Sequence, residues 1–410
     1  MTRTDGPPLA EAQPGMIRLG VIGYGLRIRG ILDIIGRLCA DARVTAITDI
    51  RNDEIREDIR RSGGDPSGIR FYTDADEMLE AGGLDGALIG TRCSLHTPMA
   101  VKVLRRGLPL FLEKPVATSM GQLLELRDAA RCSGSEVVVS FPLRVTPLVR
   151  LATEIIGSGR IGTVEHVQAW NDVPYGGCYY QMWYRDENET QGLFLQKATH
   201  DFDYINHLLG IRPVEICAMT SKQVFRGERP AGLRCDECPE QDTCLESPFH
   251  AFFTRMETDR VQPSGLQCAF AVDTGNEDSG SAIIRYETGM HVCYSQNFFA
   301  RKKAGRRGAR LYGYLGTLEF DWYTDEVKVY MHHSPRVETY RTESAHASHG
   351  GGDLVLADNF IRVIRDGARS VAPLDAGILS ALMCLKAKES AATRTFQPVE
   401  FPAQGEMTTR

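Results

Sequence analysis

The sequence predicts a doubly wound parallel α/β domain followed by an α+β domain whose sheet is mainly antiparallel. Three observations carry that expectation. The first 141 residues alternate apolar strand-like runs with helical periodicity, the pattern of a parallel sheet with crossover helices. The first strand runs straight into a glycine-containing turn, "VIGYGLRIRG". Beyond Phe141, strand candidates follow one another without intervening helices, the order of an antiparallel sheet.

In chain order, residues 1–15 read as a flexible tail, because they lack the charged start and apolar stretch of a secretory signal. Residues 16–141 form the first domain, with strands at "MIRLGVIG", "RVTAITD", "GIRFY", "LDGALIG", "LPLFLEK" and "EVVVSF". Between the first two, Ile28, Ile31, Leu32, Ile35 and Leu38 recur at helical spacing. Ser119 with Gln122 makes a capping box that opens a later helix. Residues 142–410 form the second domain. It opens with a helix marked by Leu148, Leu151, Ala152, Ile155 and Ile156, continues through "IGTVEHVQAWN" into strands such as "GSAIIRYE" and "EVKVYMHH", and closes with helices over "DLVLADNFIRVIRDG" and "GILSALMCLKAKESA".

Composition excludes several classes of function. A chain of 410 residues exceeds one ordinary core, and 42% hydrophobic with 24% charged residues suits a globular protein. No apolar run approaches the roughly 20 residues of a membrane span. A net charge of −6 argues against a nucleic-acid surface. The one basic run, "ARKKAGRRGAR" at 300–310, reads as a solvated hairpin turn. Eleven scattered cysteines fit reduced thiols, and the chain is expected in the cytoplasm.

Gly23 and Gly25 have the spacing that lets a chain turn tightly and its backbone approach a pyrophosphate at a helix N-terminus; Ile28 stands where a third glycine belongs. Tyr24, Leu26 and Arg27 fill the same turn. The second strand ends in Asp49, placed to accept the hydroxyls of an adenosine ribose and to repel a 2′-phosphate. This favours NAD, whereas Arg51, just past Ile50, keeps NADP open. The fifth strand delivers Glu113, Lys114 and Pro115 to the carboxyl edge of the sheet, beside the ligand crevice of such folds.

The segments "GYGLRIRG", "TRCSLHTPMA", "LEKPVATS" and "HDFDYINHLLG", in this order, resemble the Gfo/Idh/MocA oxidoreductases. The resemblance implies a Rossmann domain, an open-faced antiparallel sheet in the second domain, bound NAD(P), a carbohydrate-like or cyclitol substrate, and homo-oligomers formed through that sheet. It implies that Lys114 bonds the reacting hydroxyl, with Glu113 a neighbouring cofactor contact. Thr91 and His96 fall where the family's TPNxxH motif lines the cofactor pocket, although Arg92 and Cys93 replace its proline and asparagine. His200 matches the catalytic histidine and Asp203 its supporting carboxylate. Gln196 stands where many members carry an aspartate, which leaves Lys197 or Asp201 as replacement proton carriers. A recycled-cofactor glycosidase or lyase and a non-catalytic nucleotide sensor are the rival readings. "NDVPYGGCYYQMWYRD" and "SHGGGD" are the stretches expected at the substrate pocket.

A separate signal lies in an insertion at about 225–260. Cys235 and Cys238 form C-x2-C and Cys244 follows, a spacing that can grip one tetrahedral zinc ion, with Cys217 or His250 as fourth ligand.

Overall fold

The computed structural model describes residues 15–250, 265–342 and 348–402; the rest of the expected tail, residues 1–14, lies outside them. The chain divides into two compact units. In the first, β1 (Ile17–Ile22), α1 (Leu26–Leu38), β2 (Ala42–Thr48), α2 (Asn52–Arg61), β3 (Arg70–Tyr72), α3 (Ala75–Glu80), β4 (Gly86–Ile89), α4 (His96–Arg105), β5 (Leu110–Leu112), α5 (Met120–Ser133) and β6 (Val137–Val139) alternate as expected. The strands pair in the order β3-β2-β1-β4-β5-β6, all parallel. The order reverses between β1 and β4, and at that point loops leaving the carboxyl ends of the strands form a ligand crevice. Half of the capping box forms as expected, Ser119 Oγ accepting from the Gln122 amide at 3.2 Å, whereas Gln122 Oε1 accepts at 2.9 Å from the amide of Thr118, one residue before the cap.

A segment distant in sequence completes this unit. Residues 353–374 cluster with it although they follow nearly all of the second domain. Phe360 meets Phe111 of β5 edge-on at 5.8 Å, and the Val139 amide donates to the carbonyl of Ala372 at 2.8 Å. Such an aromatic pair contributes about 0.5–1.5 kcal/mol beyond its buried area.

The second unit contains α6 (Pro147–Gly157), β7 (Val164–Asp172), the short helices α7 (Cys178–Gln181) and α8 (Glu187–Thr190), α9 (Thr199–Leu209), β8 (Pro213–Ser221), β9 (Ser279–Tyr286), β10 (His291–Asn297), β11 (Arg306–Gly313), β12 (Gly316–Asp321), β13 (Glu326–Met331) and β14 (Val337–Arg341). Helix α10 (Gly352–Asp366) then returns to the first unit, and α11 (Leu374–Thr393) and β15 (Gln397–Pro398) close the chain. Nine strands pair in the order β14-β13-β12-β11-β7-β10-β9-β8-β15, antiparallel apart from β10 beside β7. Strict alternation of buried and exposed residues along β9 shows one covered face and one open face. The basic run departs from its expectation. Only its first half turns; Arg306 onward is β11, and Arg307 is buried against a carboxylate, which a hairpin turn would not allow.

The displaced glycine also finds its explanation. Ile28 is fully buried, and a Cβ on Gly90, just past β4, would lie 2.0 Å from Ile28 Cγ1. The small residue that lets α1 approach the sheet therefore sits on the strand side. Gly90→Ala should destabilise the protein by about 1–3 kcal/mol. Gly30→Ala, inside α1 with nothing within 4 Å, should stabilise it by roughly 0.5–1 kcal/mol. Urea denaturation of the two variants checks the pair of opposite signs.

Candidate active site

The first unit builds a nucleotide cradle at its switch point. Gly23 has φ +82°, and a Cβ there would stand 2.7 Å from the backbone nitrogen of Thr91, so the exits of β1 and β4 touch at a position only glycine fits. Gly25 is the N-cap of α1 and offers no capping side chain, which leaves amides of the first turn for a phosphate. Asp49 Oδ2 accepts from the Tyr24 amide at 2.9 Å and Oδ1 from the Arg51 amide at 2.9 Å. The carboxylate thus fastens the glycine turn to the end of β2. Arg51 lies 3.5 Å from Asp49, while Leu26 and Ile50 are 85% and 93% exposed, apolar surface beside the turn. These groups fit a dinucleotide.

The charged end of β5 is accounted for by Arg27. Its Nε donates to Glu113 at 2.9 Å, Nη1 to Asp353 at 2.7 Å and Nη2 to Ser140 at 3.1 Å. Glu113 and Asp353 are both buried, so this fork neutralises two carboxylates that could not stay charged alone. The Lys114–Pro115 peptide is cis. His96, also buried, places Nδ1 2.7 Å from the Pro115 carbonyl and Nε2 3.2 Å from that of Thr91. Burial holds its pKa below the ordinary value, so a neutral ring braces the two loops.

In the second unit, Phe194–Ala198 forms one turn of π-helix leading into α9. Such turns cost backbone geometry and are frequent at functional sites. This one buries Gln196 and Lys197 together, with His200 following at the head of α9, edge-on to Phe141 at 5.8 Å. Lys197 Nζ donates to the hydroxyl of Tyr175. Burial, reinforced by the Arg307 guanidinium, pulls the lysine down to about 7. Asp203 faces Arg144 Nε at 3.1 Å, and burial pushes its carboxyl up to about 7 against that attraction. Asp201, the other residue read as a replacement, is fully buried and accepts from Arg307 Nε at 2.8 Å, Asn171 at 2.8 Å and Tyr294 at 2.9 Å.

Tyr175 and Arg307 open onto a cavity of about 170 Å³ shared with Trp322, Tyr323, Asp325 and His349. That volume equals about six waters. Aromatic faces with a carboxylate, an imidazole and a guanidinium suit a small polyhydroxylated ligand. Both stretches expected at the pocket contribute to it, Tyr175 from one and His349 from the other. Trp322, Tyr323, Asp325 and Arg307 carry no sequence signal, because the strands and turns that deliver them look like ordinary sheet. The cysteine expectation is also revised: Cys217 pairs across from Ile283 within the sheet, and Cys268 joins Cys235, Cys238 and Cys244 around a second cavity.

Comparison with known proteins agrees with this geometry. Residues 17–141 match the model of an oxidoreductase family with an NAD-binding Rossmann fold, and residues 149–319 match the GFO/IDH/MocA C-terminal domain. The chain belongs to the Gfo/Idh/MocA oxidoreductase family. It is 26% identical to YteT of Bacillus subtilis over 71% of this chain and 76% of that one, and 24% identical to myo-inositol 2-dehydrogenase of Thermotoga maritima over 49% and 58%. It therefore spans only a little over half the length of that second relative. Levoglucosan dehydrogenase in complex with NADH and levoglucosan shares the fold at a TM-score of 0.73, 18% identity and coverage of 93% and 99%. This family member is thus an NAD-binding oxidoreductase, and no helix among its described residues is long and apolar enough to cross a membrane.

The position of Lys197 has a thermodynamic consequence. Its folded pKa lies below its unfolded value of 10.5, so between pH 7 and 10.5 the unfolded chain binds a proton the folded chain does not. Stability from this group therefore rises with pH across that window. Compared with Lys197→Met, the wild type should gain denaturation midpoint between pH 7 and pH 9. Parallel midpoints at both pH values would mean an unperturbed lysine.

Proposed function

We propose that the protein is an NAD-dependent dehydrogenase that oxidises a secondary alcohol of a sugar, glycoside or cyclitol. The observation that carries this reading is the buried segment Gln196–His200, joined through Lys197 and Tyr175 to a pocket lined with carbohydrate-binding groups. His200 takes the hydroxyl proton, the role in which a positioned imidazole serves most often. Lys114 donates to the oxygen as negative charge develops on it, which eases departure of the hydride. Bound NAD supplies the hydride acceptor, C4 of its nicotinamide. Gln196 cannot exchange a proton as an aspartate would. Lys197, titrating near pH 7 and bonded to a tyrosine that opens on the pocket, supplies that capacity instead.

A non-catalytic sensor would need none of this. Holding a lysine buried with its pKa pulled down to about 7 costs stability, and such groups cluster at functional sites. Asp49 makes NAD rather than NADP the cofactor, since its carboxylate repels a 2′-phosphate. The open face of the second sheet, where Met219 and Ile283 are exposed, is the surface through which copies of the chain associate; light scattering of the full chain reads that assembly.

The test is turnover on a panel of inositols, anhydro sugars and glycosides, with NAD and NADP binding measured alongside. Lys114→Ala and His200→Ala should each lose roughly 10²-fold or more in turnover while still binding NAD. Near-normal turnover by His200→Ala would sink the assignment, and clearly tighter NADP binding by the wild type would reject the role of Asp49.

A further inference from the structure

The loop between β8 and β9, residues 222–278, is long for a connection inside a sheet. Its described part holds one three-residue 3-10 turn and two isolated bridges, Arg229 with Ala271 and Arg234 with Gln267. Irregular segments as long as its described parts are uncommon in compact domains unless something else holds them. Four of the chain's eleven cysteines, Cys235, Cys238, Cys244 and Cys268, meet around one cavity here, all as free thiols. The backbone brings them together. The Cys235 amide donates to the carbonyl of Leu266 at 2.7 Å and the Cys268 amide to that of Leu233 at 2.9 Å, which sets those residues side by side. The 3-10 turn Cys235–Glu237 presents Cys238, and the Cys244 amide donates to Glu240 at 2.9 Å in the next turn.

We infer that Cys235, Cys238, Cys244 and Cys268 bind one zinc ion as a closed structural site that holds the loop. C-x2-C with two further thiols completes the four-sulfur set of structural zinc, and Cys268 is the ligand that sequence spacing does not reveal. The cavity, about 10 Å³, has room for a single small occupant. Arg229 Nη1 lies 3.9 Å from Cys238 Sγ and is itself paired with Glu240, a cation placed to offset the negative charge of four thiolates. Among the described residues, no three of these sulfurs fall within 4.8 Å of one another. Zinc–sulfur bonds of about 2.3 Å give sulfur separations of about 3.8 Å, so the loop tightens around the ion.

The loop matters to the rest of the unit because Phe225 and Ala269 pack into one cluster with Tyr179, Tyr180 and Phe298, and Arg301 pairs with Glu246 at 2.6 Å. The residues following Tyr175 are thereby braced from the thiol loop. Chelation should loosen the substrate pocket before it affects NAD binding.

Elemental analysis of the full-length protein, purified without added metal or chelator, tests the inference. The expected result is about one zinc per chain, lost in Cys238→Ser and Cys268→Ser but kept in Cys268→His, which preserves a ligand. Stripping the metal with a mercurial and chelator should lower the melting temperature by roughly 5 °C or more, reversed by zinc, with NAD binding unchanged. Cobalt substituted into the wild type should show thiolate charge-transfer absorption, a readout that does not depend on a variant folding. Zinc far below one per chain, iron with a visible chromophore, or zinc kept by Cys268→Ser and lost by Cys293→Ser would each overturn it; the last would move the ion to the open sheet face, where His166, His291 and Cys293 place ligand atoms within 4.8 Å of one another.

Discussion

The carboxylate of Asp201 sits in the second unit with no solvent exposure, and the arrangement of the substrate side depends on how that charge is satisfied. A buried carboxylate is tolerated only when it is paired and fully hydrogen-bonded. Arg307, Asn171 and Tyr294 meet that demand from β11, β7 and β10, so one charge on α9 fixes three adjacent strands and the helix that follows His200. The same pair sets the electrostatics of the pocket. Arg307 lines the cavity and opposes protonation of Lys197, while Asp201 favours it; burial and Arg307 together prevail, leaving the lysine near pH 7.

One departure from the family pattern is met by displacement rather than loss, and the proposed function extends that logic to a second. The third glycine of the nucleotide turn is absent at Ile28, yet the close approach it permits survives because Gly90 supplies the missing volume from the opposite side. The aspartate replaced by Gln196 leaves no second acid in that position, and the adjacent residue, turned inward by the π-helix, is a lysine whose pKa falls in the same working range. In the nucleotide turn the physical requirement persists while the residue that meets it moves, and the proposed function assigns the same shift to Lys197.

These displacements also explain what could be read from the sequence. All six strands of the first sheet were legible as short apolar runs set between turns, and the helix after the first as apolar residues at helical spacing. Asp49 and the Ser119 cap follow local rules and lie where those rules put them. What was not legible depends on contacts between distant segments. The return of α10 to the first unit is driven by Phe360 and Asp353, which look like any helix residues. Arg307 hides in a run of basic residues that reads as solvated, because nothing local announces the carboxylate it meets. Helical spacing placed Gln196 one α-turn before His200, and no residue in the stretch signals the π-turn that buries Lys197 beside it. Cys268 lies too far from the C-x2-C pair for spacing to connect them.

The account rests on hydride moving between a substrate C–H bond and nicotinamide, and isotope transfer tests that most directly. The protein would be incubated with NAD and cyclitols, sugars and glycosides deuterated at their carbinol carbons, and the recovered cofactor analysed by mass spectrometry. Deuterium should appear at C4 of the nicotinamide, recovered as labelled NADH. Product formed with the carbinol C–D bond intact and the cofactor unlabelled would contradict the account.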